Sequence, residues 1–349
     1  MYNRRVSIRK TKRSRISLNF RLKIILPALV AVLALVALIA AVVIIKNNSS
    51  DETPDKTEVN KMNEYVNPLL EGADPFVLNY GGKYYLYCTS ADDGYKLYVS
   101  DNLTDWKEDG YSLKKGDVKG EGGFWAPEVM ERGGKFYMVY TADEHIGIAV
   151  SDSPRGPFRQ AEKRWLSERK AIDGHFFVDD DGSVYLYYVR FDNANLIYGA
   201  KLNDDLTLDE ENEKFILRTS YGWEQMDCDV AEGPFVLKHD GKYYLTYSVN
   251  HTRSPYYAVA CAVSSSPLSG FEKYEEPILS KTDAVVGTGH HSFVKTNKGE
   301  LAIVYHCHAS PTTFRPRMVC VDRAAFVTEN GETVLKVFGP TNTPQKKFG

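Results

Sequence analysis

One phrase occurs five times along this chain, and it restricts the fold more than any other feature. Residues 73–89 read ADPFVLNYGGKYYLYCT, 126–141 APEVMERGGKFYMVYT, 172–189 IDGHFFVDDDGSVYLYYV, 229–248 DVAEGPFVLKHDGKYYLTYS and 288–306 TGHHSFVKTNKGELAIVYH. Each copy runs from a polar residue through a short apolar strand and a Gly-bearing turn to a second strand rich in Tyr, Leu and Val. The turns carry Gly81-Gly82, Gly133-Gly134, Asp181-Gly182, Asp240-Gly241 and Lys298-Gly299, the chemistry of tight hairpins. A third alternating run follows each hairpin: YKLYVS (95–100), IGIAVS (146–151), LIYGAKL (196–202), YYAVACAVS (256–264) and RMVCVDR (317–323).

Taken at their lead residues Asp74, Glu128, Asp173, Glu232 and His290, the copies lie 54, 45, 59 and 58 residues apart. Several strands per unit at such a period are the signature of a β-propeller, and five units predict five blades. Outside one apolar segment, no stretch has a helical period. The predicted fold is therefore an all-β, five-bladed propeller over residues 65–340, with residues 341–349 as a tail. In a propeller the innermost strand of each blade lines the central channel. Residues some 50 apart in sequence then become neighbours at one mouth.

That convergence gives the lead acids a chemistry. A lone Asp before a strand is ordinarily a turn residue, but Asp74, Asp173 and Glu232 at comparable places in three repeats would form one carboxylate cluster. Acetal hydrolysis needs one carboxylic acid to protonate the leaving oxygen and one carboxylate to activate water or attack the sugar. A third carboxylate can raise the pKa of the acid. A calcium site is the competing use of three acids; Pro or Gly directly follows each of them, and no D-x-D-x-D loop is present.

The motifs ADPF, FWAPE, IDGHFF, AEGPF and GTGHHS, in this order and spacing, resemble the successive blade motifs of glycoside hydrolase family 43, from about residue 66 to about residue 340. The resemblance implies a five-bladed propeller that hydrolyses arabinose- and xylose-containing glycans with inversion. It implies Asp74 as general base, Glu232 as general acid and Asp173 as the residue that tunes the acid and orients substrate. His290 corresponds to a channel histidine that holds a structural Ca2+ or Na+ directly or through water; no other cofactor is expected. His291 stands where relatives carry a small or amide residue. From FRPRMVCVDR, Arg317 is taken as the arginine that reaches the pocket. Phe124 and Trp125 are candidate sugar-stacking residues, since an aromatic face buries the C–H face of a sugar. Glu128 is not assigned to catalysis, His175 reads as a packing or hydrogen-bonding residue, and His306 and His308 as structural rather than metal-binding. The expected partners are arabinan, arabinoxylan or xylan oligosaccharides. The competing functions are a non-catalytic glycan-binding propeller and a retaining fructan or sucrose hydrolase.

Charge separates the chain into two parts. Residues 1–46 hold ten Lys or Arg and no acid, leaving 33 basic against 46 acidic residues after them. The acidic main part lacks the clustered cations that phosphate contacts require, so no nucleic-acid partner is expected. Residues 24–45, IILPALVAVLALVALIAAVVII, contain no charge; at about 1.5 Å per residue they span roughly 33 Å, enough for a hydrocarbon core of about 30 Å. With basic residues before the run, a single-pass membrane anchor is expected, with a cytoplasmic segment 1–23, a linker 46–64 and an extracellular catalytic domain. The run is longer than a secretory h-region, and no clear cleavage site follows it. Five cysteines without a CxxC pair argue against metal and redox roles; Cys88 and Cys261, inside apolar runs, read as free buried thiols.

Overall fold

The computed structural model describes residues 63–348, together with Ala34 and Leu38, which are helical. The cytoplasmic segment, the membrane span and nearly all of the linker expected from the sequence lie outside the described residues. Among the described residues no helix is long and apolar enough to cross a membrane.

Residues 63–348 form a five-bladed propeller. The blades begin with Ala73–Tyr80, Trp125–Arg132, Ala171–Val178, Ala231–His239 and Gly289–Lys295, and these five innermost strands adjoin in cyclic order around the axis. Each is followed by its hairpin partner: Lys83–Thr89, Lys135–Ala142, Val184–Phe191, Lys242–Val249 and Leu301–Cys307. Third strands are Gly94–Ser100, His145–Ser151, Asn195–Lys201, Ala258–Ser264 and Met318–Glu329, so every third run read from the sequence is a strand. Three hairpins turn in two residues, at Tyr80↔Lys83, Arg132↔Lys135 and His239↔Lys242. Their turn residues, Gly81-Gly82, Gly133-Gly134 and Asp240-Gly241, have positive φ throughout, which matches the strand twist and explains the glycines.

The core lies between blades. Its five apolar clusters each join a pair of neighbouring blades; one packs Tyr87, Tyr95 and Leu97 of the first blade against Met138 and Tyr140 of the second. Each second strand fully buries at least one tyrosine there: Tyr87, Tyr140, Tyr187, Tyr247 and Tyr305. They fill the wedge between diverging sheets and line no substrate surface.

The ring closes through the N-terminal segment. Leu70–Glu71 adds a strand to the fifth blade beside Met318–Val319, and Asn67 exchanges hydrogen bonds of 2.9 Å with both backbone groups of Val321. Residues 341–348, read from the sequence as a tail, contain a strand, Gln345–Lys346, paired with Glu64–Tyr65, and bury Phe348 against Tyr65.

Every innermost strand carries an irregularity at the same place. Register shifts fall between Ala73 and Phe76, Trp125 and Glu128, Ile172 and His175, Glu232 and Phe235, and Gly289 and Ser292. In each, the first bulged residue is in the left-handed region: Asp74 (φ 52°), Ala126 (43°), Asp173 (58°), Gly233 (55°) and His290 (42°). This is the β-bulge that re-aims side chains at a rim. It corrects the sequence alignment of lead residues. Glu232 precedes its bulge by one residue and Glu128 follows its own by two, so only Asp74, Asp173 and His290 occupy equivalent positions.

Candidate active site

The bulges bring Asp74, Asp173 and His290 together at the channel mouth. His290 Nδ1 lies 3.4 Å from Asp74 Oδ1 and 4.0 Å from Asp173 Oδ2. Glu232 joins them from the fourth blade through its own peptide link: the N–H of the next residue, Gly233, donates to Asp173 Oδ2 at 3.1 Å. The three carboxyl groups expected from the sequence therefore share one site.

Their surroundings differ in kind. Asp74 is buried, which by itself would raise its pKa, yet the Arg317 guanidinium, then His290, hold it well below the usual carboxylate range. Arg317 Nη1 and Nη2 reach Asp74 Oδ1 and Oδ2 at 2.6 and 3.4 Å, and Thr89 Oγ1 donates to Oδ2 at 2.6 Å. Such a two-pronged, charge-assisted contact suits arginine and not lysine. Glu232 is the opposite case. Burial, with a smaller push from Asp74, raises it to about 7, while hydrogen bonds from Tyr257, the charge of Arg317 and a hydrogen bond from Asn195 pull the other way. Tyr257 Oη donates to Oε1 at 2.8 Å and Asn195 Nδ2 to Oε2 at 3.3 Å. Asp173 is pushed well above the ordinary range by burial and by the charges of Glu232 and Asp74. Two buried acids that repel each other titrate as a pair, with one proton between them over a wide pH range.

The histidines have distinct jobs. His306 Nδ1 accepts the backbone N–H of Asp74 at 3.2 Å, so the ring is neutral with its proton on Nε2, 3.3 Å from Thr252 Oγ1. Burial, chiefly, and Arg317 lower its pKa to about 3. His175 Nδ1 pairs with Glu128 Oε2 at 2.7 Å, and its Nε2 accepts from Val236 N at 2.9 Å, joining the second, third and fourth blades. His308 Nε2 lies 2.9 Å from Thr252 O.

Below the carboxylates a cavity of ≈ 10 Å³ is lined by Asp74, Glu128, Asp173, His290 and His291, among others. That is room for about one water. His291 Nδ1 is buried without a partner, while its Nε2 contacts Thr246 Oγ1 at 2.6 Å. Among the described residues no group of three or more His, Cys, Asp or Glu side chains could hold a metal ion.

A cleft of ≈ 1070 Å³ along the first, second and fifth blades is lined by Ala73, Thr89, Trp125 and Arg317 among others, and so reaches two partners of Asp74, Thr89 and Arg317. Trp125 is 39% exposed at its wall. Phe124 differs from expectation: it is 1% exposed and sits edge-on to Tyr95 at 5.9 Å, inside the core between the first two blades. Both residues border the cleft, but Trp125 offers it the larger aromatic surface. Tyr257, Asn195 and Thr89 hold the catalytic-type carboxylates yet were not legible as site residues. Each stands near the end of a second or the start of a third strand, where a polar residue resembles an ordinary turn residue.

The model of glycosyl hydrolases family 43 matches residues 65–331. The chain belongs to glycoside hydrolase family 43. It is a glycosidase. Among solved structures it is similar to an endo-1,4-β-xylanase from Bacteroides thetaiotaomicron, with 37% identity and a TM-score of 0.76 over 81% of this chain and 99% of that one. A thermostable family-43 glycoside hydrolase is 39% identical, with a TM-score of 0.75 over 81% and 98% of the two chains. Among characterised relatives, a β-D-galactofuranosidase of Aspergillus niger is 28% identical over 76% of this chain and 83% of its own length. A xylosidase/arabinosidase of Butyrivibrio fibrisolvens is 30% identical over 68% of this chain and 50% of its own length.

Proposed function

We propose that this family 43 enzyme cleaves α-L-arabinofuranosyl or β-D-xylosyl linkages in plant polysaccharides or their oligosaccharides, with inversion at the anomeric carbon. In this reading Asp74, ionised, takes a proton from the attacking water. Glu232 delivers a proton to the glycosidic oxygen, and Asp173 sustains the acid's raised pKa. One observation supports the division of labour above others: Asp74 is held well below the ordinary carboxylate range while Glu232, in the same pocket, is raised to about 7. An acid and a base whose pKa values are driven apart can both be in their working states near neutral pH. Trp125 would carry the apolar face of the sugar, and Arg317 would keep Asp74 charged and oriented.

Relatives named as xylosidase/arabinosidase and as β-D-galactofuranosidase set the panel to test: aryl α-L-arabinofuranoside, β-D-xyloside and β-D-galactofuranoside, with arabinan and xylan. Proton NMR of the first product formed reads the mechanism, and a product of unchanged anomeric configuration would exclude it. Glu232→Gln should lose activity on oligosaccharides by orders of magnitude with its fold intact. We also propose that residues 24–45 anchor the enzyme in the cell membrane, with residues 1–23 cytoplasmic and the propeller outside. Recovery of the full chain in the alkali-washed membrane fraction, and of a chain lacking residues 1–46 in the soluble one, is the expected result.

A further inference from the structure

The bulges are joined around the ring by a repeated hydrogen bond, and one link is made differently. In four of five junctions, the N–H of the bulged residue is accepted by the side chain at one fixed position of the preceding blade's second strand. Ala126 N donates to Thr89 Oγ1 (2.9 Å), Asp173 N to Thr141 Oγ1 (3.1 Å), His290 N to Ser248 Oγ (2.7 Å) and Asp74 N to His306 Nδ1 (3.2 Å). Register makes these acceptors equivalent, for Thr89, Thr141, Ser248 and His306 pair with Ala73, Trp125, Glu232 and Gly289, each one residue before its bulge. The remaining equivalent position is Val189, paired with Ile172 and fully buried. Valine has no acceptor. A buried N–H left without one is costly, and here the N–H of Gly233 is taken instead by Asp173 Oδ2 at 3.1 Å.

We propose that Val189 is a positioning residue for catalysis: by withholding an acceptor, it makes the Asp173 carboxylate itself the latch between the third and fourth blades and so fixes that carboxylate against the peptide that carries Glu232. The first blade shows the alternative. There Thr89 Oγ1 accepts from Ala126 N and donates to Asp74 Oδ2 at 2.6 Å, so a hydroxyl stands between the carboxylate and the next blade. A threonine at position 189 would insert the same relay, and Asp173 would sit one hydrogen bond further from Glu232. The proposal rests on the reading of Glu232 as the acid and Asp173 as its tuner, and it adds the residue that places the tuner.

The test uses the full-length protein in detergent. Val189→Thr is nearly isosteric, and its hydroxyl would have both partners that Thr89 has. Because the two carboxyl groups then repel each other less, the pair gives up its last proton more easily, and the alkaline limb of kcat/KM on an arabino- or xylo-oligosaccharide should move to lower pH by about half to one unit. That corresponds to about a three- to tenfold loss above the limb. An aryl glycoside of the same sugar with an acidic phenol leaving group needs little protonation and should change less than about twofold. A merely structural role would lower both rates together and move no limb. A second arm needs no activity: Asp173→Ala orphans Gly233 N, and adding Val189→Thr should recover part of the lost thermal stability. An alkaline limb that stays or moves upward, a double variant no more heat-stable than Asp173→Ala, or a Val189→Thr chain that does not fold would each overturn the proposal. If wild-type product retains configuration, or Glu232→Gln keeps oligosaccharide activity, the reading of the acid fails instead, while the stability arm still reports on the latch.

Discussion

Removing one oxygen atom should retune this enzyme without touching its carboxylates. Tyr257 Oη donates to Glu232 Oε1 at 2.8 Å, and it is the largest of the influences that oppose burial at a carboxyl raised on balance to about 7. The phenol donates most strongly to the ionised acid, so Tyr257→Phe penalises the carboxylate and favours the protonated form. A hydrogen bond to a charged group is worth about 1.5–3 kcal/mol. At 1.36 kcal/mol per unit, the pKa of Glu232 should rise by about one to two units. The ring itself would stay, fully buried and stacked on His306 at 5.5 Å, so little packing is lost. With Glu232 as the proposed acid, activity is present below its pKa and lost as pH rises through it. The alkaline limb of kcat/KM on an oligosaccharide should therefore move upward from near pH 7 by about one to two units. The acid limb, set by Asp74, should stay. An alkaline limb that stays in place, or moves down, would refute the argument that this phenol holds the acid's proton affinity in check.

Other perturbations have equally definite signs. Arg317→Met removes the largest influence opposing burial at Asp74; the pKa of the base rises, and because a base must be ionised, the acid limb should move to higher pH in the same assay, with a fall in kcat. Trp125→Ala should raise KM about two- to twelvefold, the ~0.5–1.5 kcal/mol scale of one aromatic contact, with Tm nearly unchanged because the side chain is 39% exposed. Glu224→Gln should lower stability by about 3 kcal/mol in urea unfolding, the lower end for one partner of a buried pair. Its carboxylate, fully buried, binds Lys273 Nζ at 2.8 Å, Tyr247 Oη at 2.7 Å and the N–H groups of Ser220 and Tyr221, fixing the 218–229 segment beside the site.

The repeat was legible because a propeller writes its architecture into sequence: each blade needs the same hairpin, and the Gly-bearing turns and Tyr-rich second strands recur for that reason. Arg317 was legible only through resemblance, since FRPRMVCVDR gives no local reason to prefer it to Arg315 or Arg323. The offset of Glu128 and Glu232 was missed because the alignment followed the acids and ignored the bulge. The bulge had its own signal. Its two residues are Asp74-Pro75, Ala126-Pro127, Asp173-Gly174, Gly233-Pro234 and His290-His291, and three of the second positions are proline, which suits a residue whose N–H is free of the ladder. Reading those pairs would have placed Ala126 and Gly233, and not the glutamates, in the ring. Tyr257, Asn195 and Val189 had no such signal, because their roles come from neighbours brought up by the fold.

The one-residue offset also explains how three carboxyl groups in one funnel can differ. Asp74 and Asp173, on the left-handed bulge residue, are buried in the floor at 6% exposure each. Glu232 stands one residue earlier and is only partly buried, as a group must be if it is to meet the leaving oxygen. Its counterpart in the second blade is Trp125, which pairs with Thr141 as Glu232 pairs with Ser248. The other residues at this register are Ala73, Ile172 and Gly289, which are small or buried. The rim thus presents a flat aromatic surface and a proton donor at matching heights on two blades, with Asp74 and Arg317 below. In the proposed reading, a sugar stacked on Trp125 would extend its glycosidic oxygen toward Glu232. A complex with an oligosaccharide in which the bound sugar leaves Trp125 uncovered while Glu232 contacts the glycosidic oxygen would break that argument, since the shared register would then have no part in holding the substrate.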